Sequence, residues 1–171
     1  QFCAELDGEG AECVLNGLYL NDGARLIDNT LSVRHIRPQA TSRIHFKGIL
    51  DDNSKAVFTG KVFVHPEALQ TDSNQLNNSL LLSDHATIDT KPQLEIYADD
   101  VKCTHGATVG PAPEDVLFYF RSRGIDERTA RGMLTRGFAE EILEQLELEP
   151  VKKRLSARVA AKCAAVGGQE Q

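Results

Sequence analysis

The residue types best suited to chemistry in this 171-residue chain lie together in Asp99-Asp100-Val101-Lys102-Cys103-Thr104-His105-Gly106-Ala107-Thr108. A Cys and a His two positions apart on an extended strand point to the same face, so a thiolate and an imidazole can approach one ion together. Two ligands do not close a metal site. On spacing alone, a buried Cys beside a hydrogen-bonded His at a strand end is the commoner arrangement. The carboxylate pairs Asp51-Asp52 and Asp99-Asp100 have the form of a general acid and base, yet beside Gly, Asn and Lys such pairs more often build turns. The sequence contains no G-x-x-x-x-G-K-[ST] phosphate loop, no G-x-S-x-G elbow and no H-E-x-x-H helix. Hydrolase readings therefore have no motif behind them.

Two kinds of element must position these residues. Up to about residue 110 the chain shows apolar bursts of three to five residues between clusters of Gly, Asn, Asp and Ser, with no sustained 3.6-residue period. Val14-Leu15-Asn16-Gly17-Leu18-Tyr19-Leu20, Phe46-Lys47-Gly48-Ile49-Leu50 and Phe58-Thr59-Gly60-Lys61-Val62-Phe63-Val64 each place a Gly between apolar steps. Turns are expected at Asn21-Asp22-Gly23, Asp51-Asp52-Asn53-Ser54 and Asp72-Ser73-Asn74. Loosely repeated strands with a Gly kink suit an antiparallel sandwich, or a parallel β-helix in which Gly turns the corner between stacked sheets. Asp7-Gly8, Asn16-Gly17 and Asp22-Gly23 carry the hairpin signal and favour the first. The position of Asn16-Gly17 inside an apolar run favours the second.

After Pro111 the pattern becomes helical. Pro113-Glu114-Asp115 starts a helix that ends at Gly124, and Asp126 caps a second with Ala130, Leu134, Phe138, Ile142 and Leu146 at i+4 steps beside Met133. The polar face of the second helix carries Arg128, Arg131, Glu140 and Glu144. A third helix follows Pro150 with Val151, Leu155, Val159 and Cys163 in one stripe, and the Gly167-Gly168-Gln169 tail is expected to fray.

With 41% hydrophobic and 26% charged residues, the chain has the composition of a globular protein able to bury a core. A formal charge of −6 disfavours nucleic acid, whose affinity depends on clustered Lys and Arg. No apolar run approaches a membrane span, so a cytoplasmic protein without a membrane partner is expected. Cys3, Cys13, Cys103 and Cys163 are scattered without a C-x-x-C pair, and reduced thiols are expected. The opening at Gln1 in the middle of a strand array suggests a missing amino-terminal portion.

Several stretches together resemble the SufB/SufD family of the SUF iron–sulfur cluster assembly system. They are Phe46-Lys47-Gly48-Ile49, Phe58-Thr59-Gly60-Lys61-Val62, Thr71-Asp72, Asn77 to Ser83, Lys91 to Ile96, Asp99 to Gly110, Leu117-Phe118-Tyr119 and Ser122 to Ile125, in order across about residues 43 to 145. The motif Asp-Asp-Val-Lys-Cys-x-His-Gly-Ala-Thr resembles the SufD branch. The SufB branch has Glu where Gly106 stands and a sulfur-accepting Cys upstream, whereas no Cys occurs here between Cys13 and Cys103.

The resemblance implies a mainly β fold, a right-handed parallel β-helix over residues 1–110 followed by a small α-helical, ATPase-docking domain over 111–171. It implies a non-hydrolytic scaffold subunit working with a SufB-type paralogue and a SufC-type ABC ATPase, with a homodimer as a further partnership. The nascent iron–sulfur cluster would be transient and shared with the partner, with nothing tightly bound to this chain alone. His105 becomes the expected cluster or iron ligand with Cys103 as a weaker candidate, and Arg128, Arg131 and Phe138 become the expected ATPase contacts. Two rival readings are a β-helical carbohydrate-active enzyme and a purely structural homodimer. The enzyme would need aromatic platforms, and the chain has seven Phe, three Tyr and no Trp.

Overall fold

The computed structural model describes residues 1–165, with side chains as far as Cys163. The Gly167-Gly168-Gln169 tail lies outside the described residues. Eight strands come first: β1 (Phe2–Leu6), β2 (Glu12–Asn21), β3 (Leu26–His35), β4 (Thr41–Leu50), β5 (Lys55–Val64), β6 (Asp72–Leu81), β7 (Thr87–Ile96) and β8 (Lys102–Pro111). Three helices follow, α1 (Glu114–Ser122), α2 (Glu127–Leu143) and α3 (Glu149–Ala165). Odd strands form one sheet, β1-β3-β5-β7, and even strands a second, β2-β4-β6-β8, with every pairing parallel. The chain thus coils through four turns of about thirty residues as a parallel β-helix, and the antiparallel sandwich is excluded. Asp7-Gly8 and Asp22-Gly23 lie in the connections between sheets, and neither closes a hairpin.

The glycines between apolar steps do not make the corners. Gly17, Gly48 and Gly60 sit inside β2, β4 and β5, where an added methyl would overlap the Phe46 ring, the Tyr19 ring and the Gln75 amide respectively. Gly17 is the register partner of Phe46, and Gly48 that of Tyr19, so each glycine makes room for the large side chain on the neighbouring turn. The corners belong instead to residues in the left-handed region. Gly10, Gln39, Gln70 and Asp100 have φ of 69°, 61°, 57° and 54°, each two residues before an even strand. The expected turn at Asp72-Ser73-Asn74 is displaced in the same way, because those residues open β6 and the bend falls at Gln70. Asp51-Asp52 and Asp99-Asp100 are turn residues. Asp52 (φ 53°) receives the Gly23 N–H on its carboxylate at 2.8 Å, and the Asp100 carbonyl accepts the Gln70 N–H at 3.0 Å.

Leu31, Val33, Ile44, Phe58, Val62 and Val64 fill the lumen of the coil. Each such large apolar side chain, once fully buried, contributes roughly 1.5–3 kcal/mol. The lumen is not wholly apolar, however: Ser73, Gln75, Asn77 and Ser79 alternate along β6 and are buried, together with His35 and Ser42.

A second cluster joins the outer face of the even sheet to the helices. Ile49 and Leu80 meet Leu117, Ala130, Ala139, Leu143, Val159 and Cys163. Asp126 caps α2 by accepting the Thr129 N–H at 2.9 Å. Of the expected α2 stripe, Ala130 and Ile142 are buried and Leu134, Phe138 and Leu146 half-buried, while Thr135, Ala139 and Leu143 complete the seam. On α3, Val159 and Cys163 are buried, Leu155 is half-buried and Val151 is exposed. From the β8 edge this helical layer crosses the sheet to β2, where Lys162 pairs with Asp22.

Candidate functional site

β8 is the last strand of the even sheet and pairs with β6 along one side. Its register sets Cys103 opposite Ser73 and His105 opposite Gln75. Both lie on the lumenal face, as the two-residue spacing requires. They differ in depth. Cys103 packs against the lumenal cluster, whereas His105 is exposed at the terminal turn. Burial pushes the Cys103 thiol above the ordinary cysteine range; a Ser73 backbone hydrogen bond pulls it partly back and the Asp72 carboxylate adds to the rise. The thiol is thus held protonated, which weakens it as a metal ligand in this state. Among the described residues no three His, Cys, Asp or Glu side chains converge as a metal site, and Cys3, Cys13, Cys103 and Cys163 are all free.

Sequence reading missed a buried polar network leading to this strand. His35 Nε2 lies 2.9 Å from Ser42 Oγ, which lies 2.8 Å from Ser73 Oγ, directly opposite Cys103. The three residues belong to β3, β4 and β6, and the only signal that could have found them is the thirty-residue turn. Desolvation lowers the His35 pKa from its ordinary 6.5 to about 4. Between those values the unfolded chain binds the proton that the folded chain refuses. The contribution is therefore fully present above pH 6.5 and is lost as pH falls toward 4. Urea midpoints should decline through that window, and His35→Gln should flatten the decline. A midpoint insensitive to pH between 7 and 4.5 would refute the assignment.

On the helical side, Lys47 is buried beneath α2. Its ammonium donates to the Phe138 carbonyl at 3.1 Å, pairs with Glu141 and sits 4.2 Å from the centre of the Phe138 ring. Phe138 therefore faces the sheet. Arg131 is half-buried and pairs with Glu127 at 3.0 Å, and Arg128 is exposed. Phe118, Tyr119 and Met133 expose 65%, 55% and 50% of their surface, a larger apolar area than the sequence stripe suggested.

The family model described as "SUF system FeS cluster assembly, SufBD core domain" matches residues 1–138. The chain belongs to the SufBD family. It is 40% identical over 158 residues to the iron–sulfur cluster assembly protein SufD of Escherichia coli K12, covering 92% of this chain and 37% of that protein. An iron–sulfur cluster assembly SufBD family protein of Synechocystis is 44% identical over 134 residues, covering 78% of this chain and 29% of the relative. A chloroplastic protein of Arabidopsis thaliana is 49% identical over 109 residues, 63% of this chain and 23% of the relative. The chain thus spans well under half the length of these relatives. Its similarity within the SufBD family is of the SufD type, as the motif around His105 implies. No helix among the described residues is long and apolar enough to cross a membrane.

Proposed function

We propose that this SufBD chain is part of a non-hydrolytic scaffold subunit that builds and transfers nascent iron–sulfur clusters with a SufB-type paralogue and a SufC-type ABC ATPase. The observation that carries the reading is His105, an exposed imidazole on an edge strand at the end of the coil, with a protonated thiol behind it. One imidazole suits iron but cannot hold a cluster alone, so the remaining ligands would come from the partner. A neutral nitrogen ligand also holds a cluster less firmly than thiolate, as a site that releases its product requires. Native mass spectrometry of the full-length protein captured from its own cell tests the proposal. A particle containing an ABC-type ATPase and a SufB-like protein supports it. A lone homodimer, or a monomer that cleaves glycans, overturns it.

The helical layer is the proposed ATPase contact. The exposed Phe118, Tyr119 and Met133 supply apolar area, and Arg128 supplies charge that is not spent in the sheet. Phe138 acts from behind by packing α2 onto Lys47. Arg128→Glu with Arg131→Glu should weaken ATPase binding by about tenfold. The fold should survive, because exposed ion pairs add little to stability. Titration calorimetry reads the affinity, and an unchanged value would move the contact elsewhere.

A further inference from the structure

Two of the buried amides in the lumen are only half satisfied. Gln75 is 1% exposed, and its Nε2 donates to the Gly60 carbonyl at 3.2 Å, which turns the amide nitrogen toward Gly60 and leaves Oε1 without a partner. Asn77, also 1% exposed, donates from Nδ2 to Thr90 Oγ1 at 3.0 Å and leaves Oδ1 without a partner. Buried acceptors without donors are rare enough that each calls for a partner. Their neighbours on β8 differ. Asn77 stands opposite Ala107, which has no polar side-chain atom, whereas Gln75 stands opposite His105 on the same lumenal face. Paired residues of adjacent strands are about 4.8 Å apart, so turning the exposed His105 ring inward brings an imidazole N–H toward the Gln75 carboxamide oxygen, with which it makes no hydrogen bond in its present rotamer. The absence of a side chain at Gly60 is what lets Gln75 lie across the lumen there. Two neutral amides and one imidazole would not offset the charge of a buried dication, which argues against a closed metal cage.

We propose that Gln75 is a positioning residue for His105, its Oε1 accepting the lumenal imidazole N–H so that the other ring nitrogen is held outward with its lone pair free. Metal-binding histidines generally have such a partner on the second nitrogen, which fixes tautomer and ring orientation. The proposal deepens the reading of His105 as the cluster-facing residue and rests on it.

The test is the ring tautomer, read by two-bond proton–nitrogen correlation in full-length protein labelled with 15N-histidine. His105→Ala identifies the signal by its loss. In the unaltered protein, one tautomer should dominate above the titration of the ring. Gln75→Leu should shift the ring nitrogens toward the mixture seen for free histidine. Gln75→Glu should restore the single tautomer, since a carboxylate oxygen can accept the same ring N–H. A free-histidine mixture in the unaltered protein overturns the proposal, and this result does not depend on any Gln75 variant folding. So does an unchanged tautomer in Gln75→Leu. The cluster reading is separated by a different signal: if His105→Ala complexes keep their iron–sulfur absorbance while the tautomer still follows Gln75, the hydrogen bond stands and the cluster role alone falls.

Discussion

His105→Ala in the complete complex should abolish iron–sulfur absorbance after anaerobic purification, and with it cluster maturation in the cell. Subunit stoichiometry and ATPase activity should stay largely intact. The expectation follows from where the residue sits. His105 is exposed on an edge strand and lies outside the apolar clusters, so its removal leaves no cavity and the fold should tolerate it. What the variant lacks is the exposed imidazole of β8, a ligand type suited to iron. Cys103→Ala should give a milder defect, because its thiol is half-buried and held protonated by that desolvation. If the His105 variant dissociates on a sizing column, the residue bridges subunits. If it retains a full cluster, the ligand assignment is wrong.

Phe58→Ala should cost about 3–5 kcal/mol, the range for deleting a fully buried aromatic ring. Phe58 is fully buried at the centre of the lumen, its ring 5.2 Å from that of Phe46, which in turn lies over Gly17. Removing the ring opens a cavity between turns that rigid strands cannot close. Urea unfolding of the full-length protein measures it, and a loss below about 1 kcal/mol would mean that the coil collapses onto the gap. Phe58→Leu should recover most of the loss by refilling the space.

The site was more legible in the sequence than the coil around it. Cys103 and His105 share a face by a rule that needs only the residue spacing. Placing His35, Ser42 and Ser73 in one network requires the register between strands about thirty residues apart, which no local pattern encodes. The same ignorance of register kept the sandwich and the coil apart only by family resemblance, since Asp-Gly reads alike in a hairpin and in a bend between sheets. Asp72-Ser73-Asn74 read as a turn because its polar residues are turn formers. In the fold two of them face outward while Ser73 joins the lumenal polar column. On α2, the expected i+4 row is joined in the seam by Thr135, Ala139 and Leu143, of which the small Thr135 and Ala139 allow close approach. Phe138 is an expected ATPase contact by family resemblance, and only the buried Lys47 beside its ring shows that part of it packs against the sheet.

The helical layer that reaches from β8 across to β2 also makes the coil a measured length. Each further turn would add about 4.8 Å along the axis, equivalent to about three residues of helix. Lys162 pairs with Asp22, and Leu155 and Val159 line one cavity with Leu18 and Leu20, only because β8 stands three strand spacings from β2 in the even sheet. Duplicating or excising one turn between them would leave every strand correctly paired and yet throw these contacts out of step. The helices act as a gauge for the rungs they cover, so the span between β2 and His105 cannot drift by whole repeats, as it can in an unbraced solenoid.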